Sequence, residues 1–234
     1  MPRTVSRLVG SRWSWWVVGL VVVVALYLFS IRPAMLGWGA SPTERTADLP
    51  GDDMVTDPRN LWTRAVTIDA PPAVVWPWLV QMGQGRGGLY SYDWLENLVG
   101  CDIHSVDRVV PELQQLAVGD PIRLVREGYP VDLALVVREI VPEEALVLAV
   151  PNDRDTAFAA GLSYFSWAFI LRPTPDGGTR LIVRSRADFK PTLGERFVNQ
   201  VMLEPIQFIM ERKMMLGIKA RAEDREAEGL TQRR

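Results

Sequence analysis

The sequence predicts an α+β domain: a curved antiparallel sheet closed by one long C-terminal helix, set behind a single apolar helix at the N terminus. Three observations predict it. Residues 13–31, opening at Trp13 and closing at Ile31, contain no charged side chain. Between residues 121 and 189, five segments with period-two patterning are separated by turn-forming sequences. Residues 193–222 then carry polar side chains at steps of three and four, the spacing of a helix.

The apolar stretch comes first. Roughly 20 apolar residues at about 1.5 Å each cross a bilayer core, and residues 13–31 reach that length. Within lipid the backbone must pair inside the segment, so a helix is expected despite its many valines. Trp13, Trp15 and Trp16 at one end and Tyr27 at the other suit the two interfaces. A cleaved secretory signal is the competing reading, but no A-x-A-like site follows Ile31. A buried core helix fits less well, since the valine run is apolar all round. Arg3, Arg7 and Arg12 precede the segment, whereas Arg32 and Arg45 follow it, a bias that favours a cytoplasmic N terminus and a domain on the far side. Residues 1–32 are thus read as basic flank and anchor.

Residues 33–58 follow, with Pro42, Pro50, Gly51 and Pro58 among the acids Glu44, Asp48, Asp52, Asp53 and Asp57. They are expected to be a polar linker that holds the domain off the membrane without packing a core. The folded domain is placed at 59–222 and a charged tail at 223–234. With 234 residues, 48% of them hydrophobic and 23% charged, the chain has room for one domain and an anchor. A net charge of -2 offers no general electrostatic case for nucleic acid. The lone Cys101 forms no intrachain disulfide, and Cys101-x-x-His104 supplies two metal ligands without a second pair, so neither a metal site nor a cofactor is expected.

Within the domain, 61–68 reads as a strand with Trp62, Val66 and Ile68 on one face. Asp69-Ala70-Pro71-Pro72 opens a helix over 73–82, prolines being tolerated in a first turn. A second short helix is expected over 92–99. Strands follow at 121–126, 131–140, 145–150, 163–172 and 179–189, an antiparallel meander. The last helix carries Arg196, Gln200, Glu204, Gln207 and Glu211 as a polar stripe, and Pro205 is expected to bend it. The strand at 163–172 is apolar on both faces, which calls for cover on each side of the sheet.

Thr67-Ile68-Asp69-Ala70-Pro71-Pro72-Ala73-Val74-Val75-Trp76, with this strand order and terminal helix, resembles the START/Bet v 1-like (SRPBCC) superfamily over about residues 59–220. The run from Gly83 through Tyr90-Ser91-Tyr92-Asp93-Trp94 to Asn97 is similar to a membrane-associated subgroup of it. The resemblance implies the helix-grip fold, in which the sheet grips the long helix. It also implies a binder or carrier of lipids or other apolar ligands, or in some members a polyketide cyclase or aromatase. No catalytic set carries over.

Candidate site residues follow. Gly83-x-Gly85-x-x-Gly88 matches a dinucleotide fingerprint literally, but it lacks the preceding strand and following long helix, so a loop at a cavity mouth is the better reading. Tyr90, Tyr92 and Trp94 alternate beside it. Either they line a pocket entrance with Arg86 meeting a ligand head group, or they pack the helices onto the sheet. Trp167 and Phe208 are pocket candidates on the sheet and long helix, and Met202, Met210, Met214 and Met215 are read either as an adaptable pocket wall or as core filling. His104, flanked by Asp102 and Asp107, is the candidate acid or base; the competing reading is a structural loop histidine. Arg180, Arg184, Arg186 and Asp188 share one strand face, read as a solvated outer face. The sequence thus points to a membrane-tethered domain that binds a hydrophobic small molecule or lipid between sheet and helix. A cyclase-type enzyme using His104 and a ligandless interaction module are its rivals.

Overall fold

The computed structural model describes residues 6–131, 133–151, 153–159 and 163–232. Arg3 of the basic flank lies outside them, as do the side chains of Arg7, Arg12 and Trp13 and, within the expected strand 131–140, residue Asp132. Helix α1 (Ser6–Leu26) runs through a π-helical stretch, Tyr27–Ile31, into α2 (Arg32–Leu36). Within it, Trp15–Leu36 is long and apolar enough to cross a membrane by length and composition, and its most apolar window buries nothing against the rest of the chain.

Next come α3 (Pro42–Thr46), β1 (Asn60–Ile68), α4 (Pro72–Val80) and α5 (Asp93–Leu98). Strands β2 (Pro121–Arg123), β3 (Ala134–Val141) and β4 (Ala145–Ala149) precede α6 (Arg154–Ala159), β5 (Tyr164–Pro173) and β6 (Thr179–Asp188). Helix α7 (Leu193–Phe197), a π-helical stretch Val198–Leu203 and α8 (Glu204–Gln232) end the described chain. Among the described residues the strands form one sheet of order β1-β6-β5-β4-β3-β2, every neighbouring pair antiparallel. Two short helices after the first strand, an antiparallel meander and a long closing helix make this the helix-grip fold that the resemblance implies.

Alternation divides each strand between two cores. On the inner face Ile68, Phe169, Leu171, Leu181 and Val183 pack with Trp78 and Leu79 of α4 and with Met214, Met215 and Ile218 of α8. On the outer face Ala65, Val147, Ala168, Ile170 and Ile182 pack with Ala40 and Leu49. The cover expected for the doubly apolar β5 is therefore present on both sides, and on the outer side residues 33–58 supply it.

This corrects the reading of 33–58 as a spacer that packs no core. Its acids are partners for the arginines of β6: Glu44 accepts from Arg180 at 2.7 and 2.9 Å, and Asp52 pairs with Arg184 at 2.6 Å and Arg186 at 3.1 Å. The same pairs correct the solvated-face reading of β6, since Arg184 is 3% exposed. Arg180 holds the Glu44 carboxyl at about 2, well below its ordinary range, chiefly through their hydrogen bond. Ser41 and Glu44 also form a capping box that starts α3. The presumed tail is helical too: α8 runs past residue 222 to Gln232, and Glu223 accepts from the Asp69 amide.

The long helix differs from expectation in which side faces out. Glu204 and Glu211 of the polar stripe are 1% and 6% exposed, whereas Phe197 and Ile206 are 57% and 53% exposed. Over residues 197–209 most apolar side chains look outward and Glu204 looks inward, although Gln207 is exposed and Phe208 is partly buried. Beyond Met210 the usual sense returns, with Met214, Met215, Ile218 and Ala222 buried.

Pro205 is accommodated by the π-helical stretch before it. In that register the Glu204 amide donates to the Asn199 carbonyl, so the next carbonyl, Gln200, looks to residue 205, where proline has no N–H. The hydroxyl of Tyr27 takes the vacant place and donates to Gln200. Arg32 meets Glu204 with two hydrogen bonds, at 2.7 and 2.8 Å. The end of the apolar segment is thus fastened to the start of the long helix. Tyr27→Phe is expected to destabilise this junction by about 1–3 kcal/mol, the cost of an orphaned carbonyl. Hydrogen exchange around residues 198–204 should quicken in that variant, and unchanged exchange would count against the junction.

Candidate functional site

Between the inner sheet face, α5 and α8 lies a cavity of about 180 Å³. The sheet contributes Trp62, Phe165 and Trp167; α8 contributes Gln207, Met210, Glu211 and Met214. Leu89, Ser91, Glu96 and Leu124 close the remaining side. Strand alternation explains the aromatic floor: Trp62 on β1 and residues 165 and 167 on β5 point the same way. The Trp62 and Phe165 rings stack at 6.0 Å between centroids.

Two carboxyls face this space in contrasting states. Glu211 is saturated: Arg64, itself fully buried, binds one oxygen, while Trp167 Nε1 donates to the other at 2.8 Å. Arg64 also donates to the Met35 carbonyl at 2.9 Å and lies over the rings of Trp62 and Phe208. Glu96 is the opposite case. It is 9% exposed, and its Oε2 has no hydrogen-bond partner. Burial, with a smaller contribution from the Asp93 charge, pushes its pKa up to about 7. The Trp62 indole N–H is likewise buried and unpartnered.

Of the residues singled out in sequence, Trp167, Met210 and Met214 line the cavity. Tyr90 is buried core, its hydroxyl donating to the Trp78 carbonyl at 3.1 Å, and burial pushes its pKa up to about 12. Arg86 donates to the carbonyls of Val80 at 3.1 Å and Leu113 at 2.9 Å; it ties loops together, and burial pulls its pKa down. Tyr92 lies under Lys213, and Trp94 is exposed on α5. The alternation of 90, 92 and 94 therefore does not make one wall, because a helix begins at Asp93. Met202 is exposed and Phe208 packs edge-on against Trp38 at 6.5 Å, so neither reaches the cavity.

The acid–base candidates sit elsewhere. His104 has a side chain 78% exposed and meets Asp102 at 3.1 Å on the surface, while Asp107 pairs with Arg221 at 2.6 Å. The glycine loop serves a local purpose. Gly83 and Gly88 exchange backbone hydrogen bonds, and at Gly88, with φ of +80°, a Cβ would lie 2.5 Å from Ser105 Cα. Only glycine allows that approach.

Sequence reasoning missed Glu96, Glu211 and Phe165 as wall residues. Phe165 was legible, being in phase with Trp167. Glu211 was hidden because it falls in the polar stripe of the long helix, and nothing in the local pattern of α5 marks Glu96 as buried.

No family model and no curated protein matches the sequence. Among solved structures, the chain is similar to a protein from Mesorhizobium loti at 16% identity, covering 70% of this chain and 98% of that one with a TM-score of 0.41. It is similar to Aha1 from Colwellia psychrerythraea at 13% identity, with 70% and 96% covered and a TM-score of 0.40. A point mutant of norcoclaurine synthase from Thalictrum, in complex with a transition state analogue, matches at 11% identity, with 71% and 96% covered and a TM-score of 0.42. Likenesses this distant say nothing of ligand or reaction; strand order and the closing helix carry the fold.

Proposed function

We propose that the chain is a membrane-tethered binding domain for a small, largely apolar molecule that carries a cationic or hydrogen-bond-donating group. The observation that carries this reading is the buried, unpartnered Glu96 Oε2 in the wall of an aromatic cavity. A buried acceptor without a donor is costly, and a ligand N–H or O–H would satisfy it. The faces of Trp62, Phe165 and Trp167 favour a cation beside it. At about 180 Å³ the space compares with an engineered cavity of about 150 Å³ that takes benzene and falls below the ~300 Å³ where drug-sized pockets begin. A single ring or short chain fits it better than a whole two-tailed lipid. The tether rests on Trp15–Leu36, and the arginine bias before it favours a domain on the non-cytoplasmic side.

The exposed position of His104 gives the cyclase-type rival no support. The filled-core interaction module is weakened by the cavity itself.

Isothermal titration of the full chain in nanodiscs with 2-phenylethylamine and with 2-phenylethanol tests the reading. The amine is expected to bind at least tenfold more tightly at pH 8, and Glu96→Gln should abolish that preference. Lowering the pH to 5.5 should abolish it too, since Glu96 then takes up its proton. The titratable neighbours are Asp93 on the same helix, Cys101, whose thiol burial and then Glu96 push up, and across the cavity Glu211, already held by Arg64. Linkage sets a second sign. With a folded pKa of about 7 against an ordinary 4.5, Glu96 makes stability fall as pH rises through that window, and Glu96→Gln removes the fall. Binding of neither probe would refute the cavity's role; equal binding of both would refute the role of Glu96.

A further inference from the structure

The outward turn of the long helix assigns it a partner. We infer that the apolar outer face of residues 197–209 rests in the lipid interface beside the tether, so that the domain is seated on the bilayer rather than hung from it. This rests on the tether reading above, not on the ligand.

In water an amphipathic helix turns its polar stripe outward. Here Phe197, Val201, Met202, Ile206 and Ile209 face outward, while Glu204 and Glu211 are buried against the domain. The reversal is confined to the stretch fastened to the apolar segment by Tyr27–Gln200 and Arg32–Glu204, and the ordinary sense returns one turn later. The outward face is thus continuous with a segment whose own surface is apolar all round. A contiguous exposed apolar patch of this kind marks a protein or membrane contact. Continuity with the membrane-spanning candidate selects the membrane. Lys190 and Arg196, exposed at the start of the helix, suit the phosphate level, as cations flanking an interfacial helix do.

Seating has a consequence for the cavity. Gln207 and Met210 in its wall lie one turn from Leu203 and Ile206 on the proposed lipid face, so a membrane-dissolved ligand would enter without crossing bulk water.

The test uses the full chain with Cys101→Ser and one new cysteine at a time, labelled with an environment-sensitive fluorophore and reconstituted in phosphatidylcholine vesicles. Val201→Cys and Ile206→Cys should give blue-shifted emission quenched by lipids spin-labelled near the head group; Ala220→Cys, exposed on the far part of α8, should not. If Val201 and Ile206 match Ala220 while Val22→Cys is quenched by lipids spin-labelled deep in the acyl chain, the tether stands and seating is refuted. If Val22→Cys is not quenched either, the tether itself is refuted. Self-quenching at Val201 that depends on protein density but not on spin-labelled lipid would make the face a contact between copies, which also overturns the inference.

Discussion

Replacing Glu211 by alanine is expected to destabilise the domain by about 3–5 kcal/mol, the usual cost of leaving a buried charge unpaired. Arg64 is fully buried with its guanidinium against Glu211, the Met35 carbonyl and two aromatic rings, so it has no route to water when its partner goes. Trp167 Nε1 loses its acceptor in the same step. Against a typical stability of about 5–15 kcal/mol this is a large fraction. The double replacement Arg64→Met with Glu211→Leu should recover part of the loss, because apolar residues of similar volume often match a buried ion pair, while Trp167 Nε1 and the Met35 carbonyl stay without partners. Thermal unfolding of the three variants in one detergent decides it. A Glu211→Ala variant within about 1 kcal/mol of the parent would show that the pair is not sealed from water as its burial states.

Arg184→Ala should detach the outer cover. Its guanidinium donates to the carbonyls of Glu44, Arg45 and Ala47 at 2.8, 3.0 and 2.6 Å, to Asp52 at 2.6 Å and to Thr63 Oγ1 at 3.0 Å. One side chain thereby fastens residues 44–52 to the sheet. Its loss orphans three carbonyls and half-frees Asp52, at a cost of about 3 kcal/mol, the range of charged hydrogen bonds and unsatisfied groups. Limited proteolysis should then cut within 44–58, exposing Ala65, Val147 and Ile182 beneath. Arg180→Ala, which removes a more exposed ion pair, should cost less than Arg184→Ala and leave 44–58 protected. Equal protection of 44–58 in both variants would show that Arg184 is not the fastener.

These two arginines show where reading the sequence stops. The alternation along β6 correctly separates Arg180, Arg184 and Arg186 from Leu181 and Val183, but exposure does not follow from alternation. Glu44 and Asp52, more than a hundred residues away, bury the arginines by pairing with them. A proline-rich acidic stretch read as spacer is drawn onto the sheet by that charge complementarity. The cavity teaches the same point: Trp167 was legible from strand phase, whereas Glu96 is buried only because a six-residue helix is held by Asp93 and Asn97 against residues 103–105.

From its sequence alone the chain determined the apolar helix, the order of the strands and of helices α4, α5 and α8, and which residues share a face, because these depend on local propensity and periodicity. Tertiary structure alone decided which of two faces looks outward, which acids meet which arginines, and how much space is left under the long helix. Periodicity defines a face without giving its sign; the sign is set by what packs opposite, and that partner comes from elsewhere in the chain or from the solvent around it.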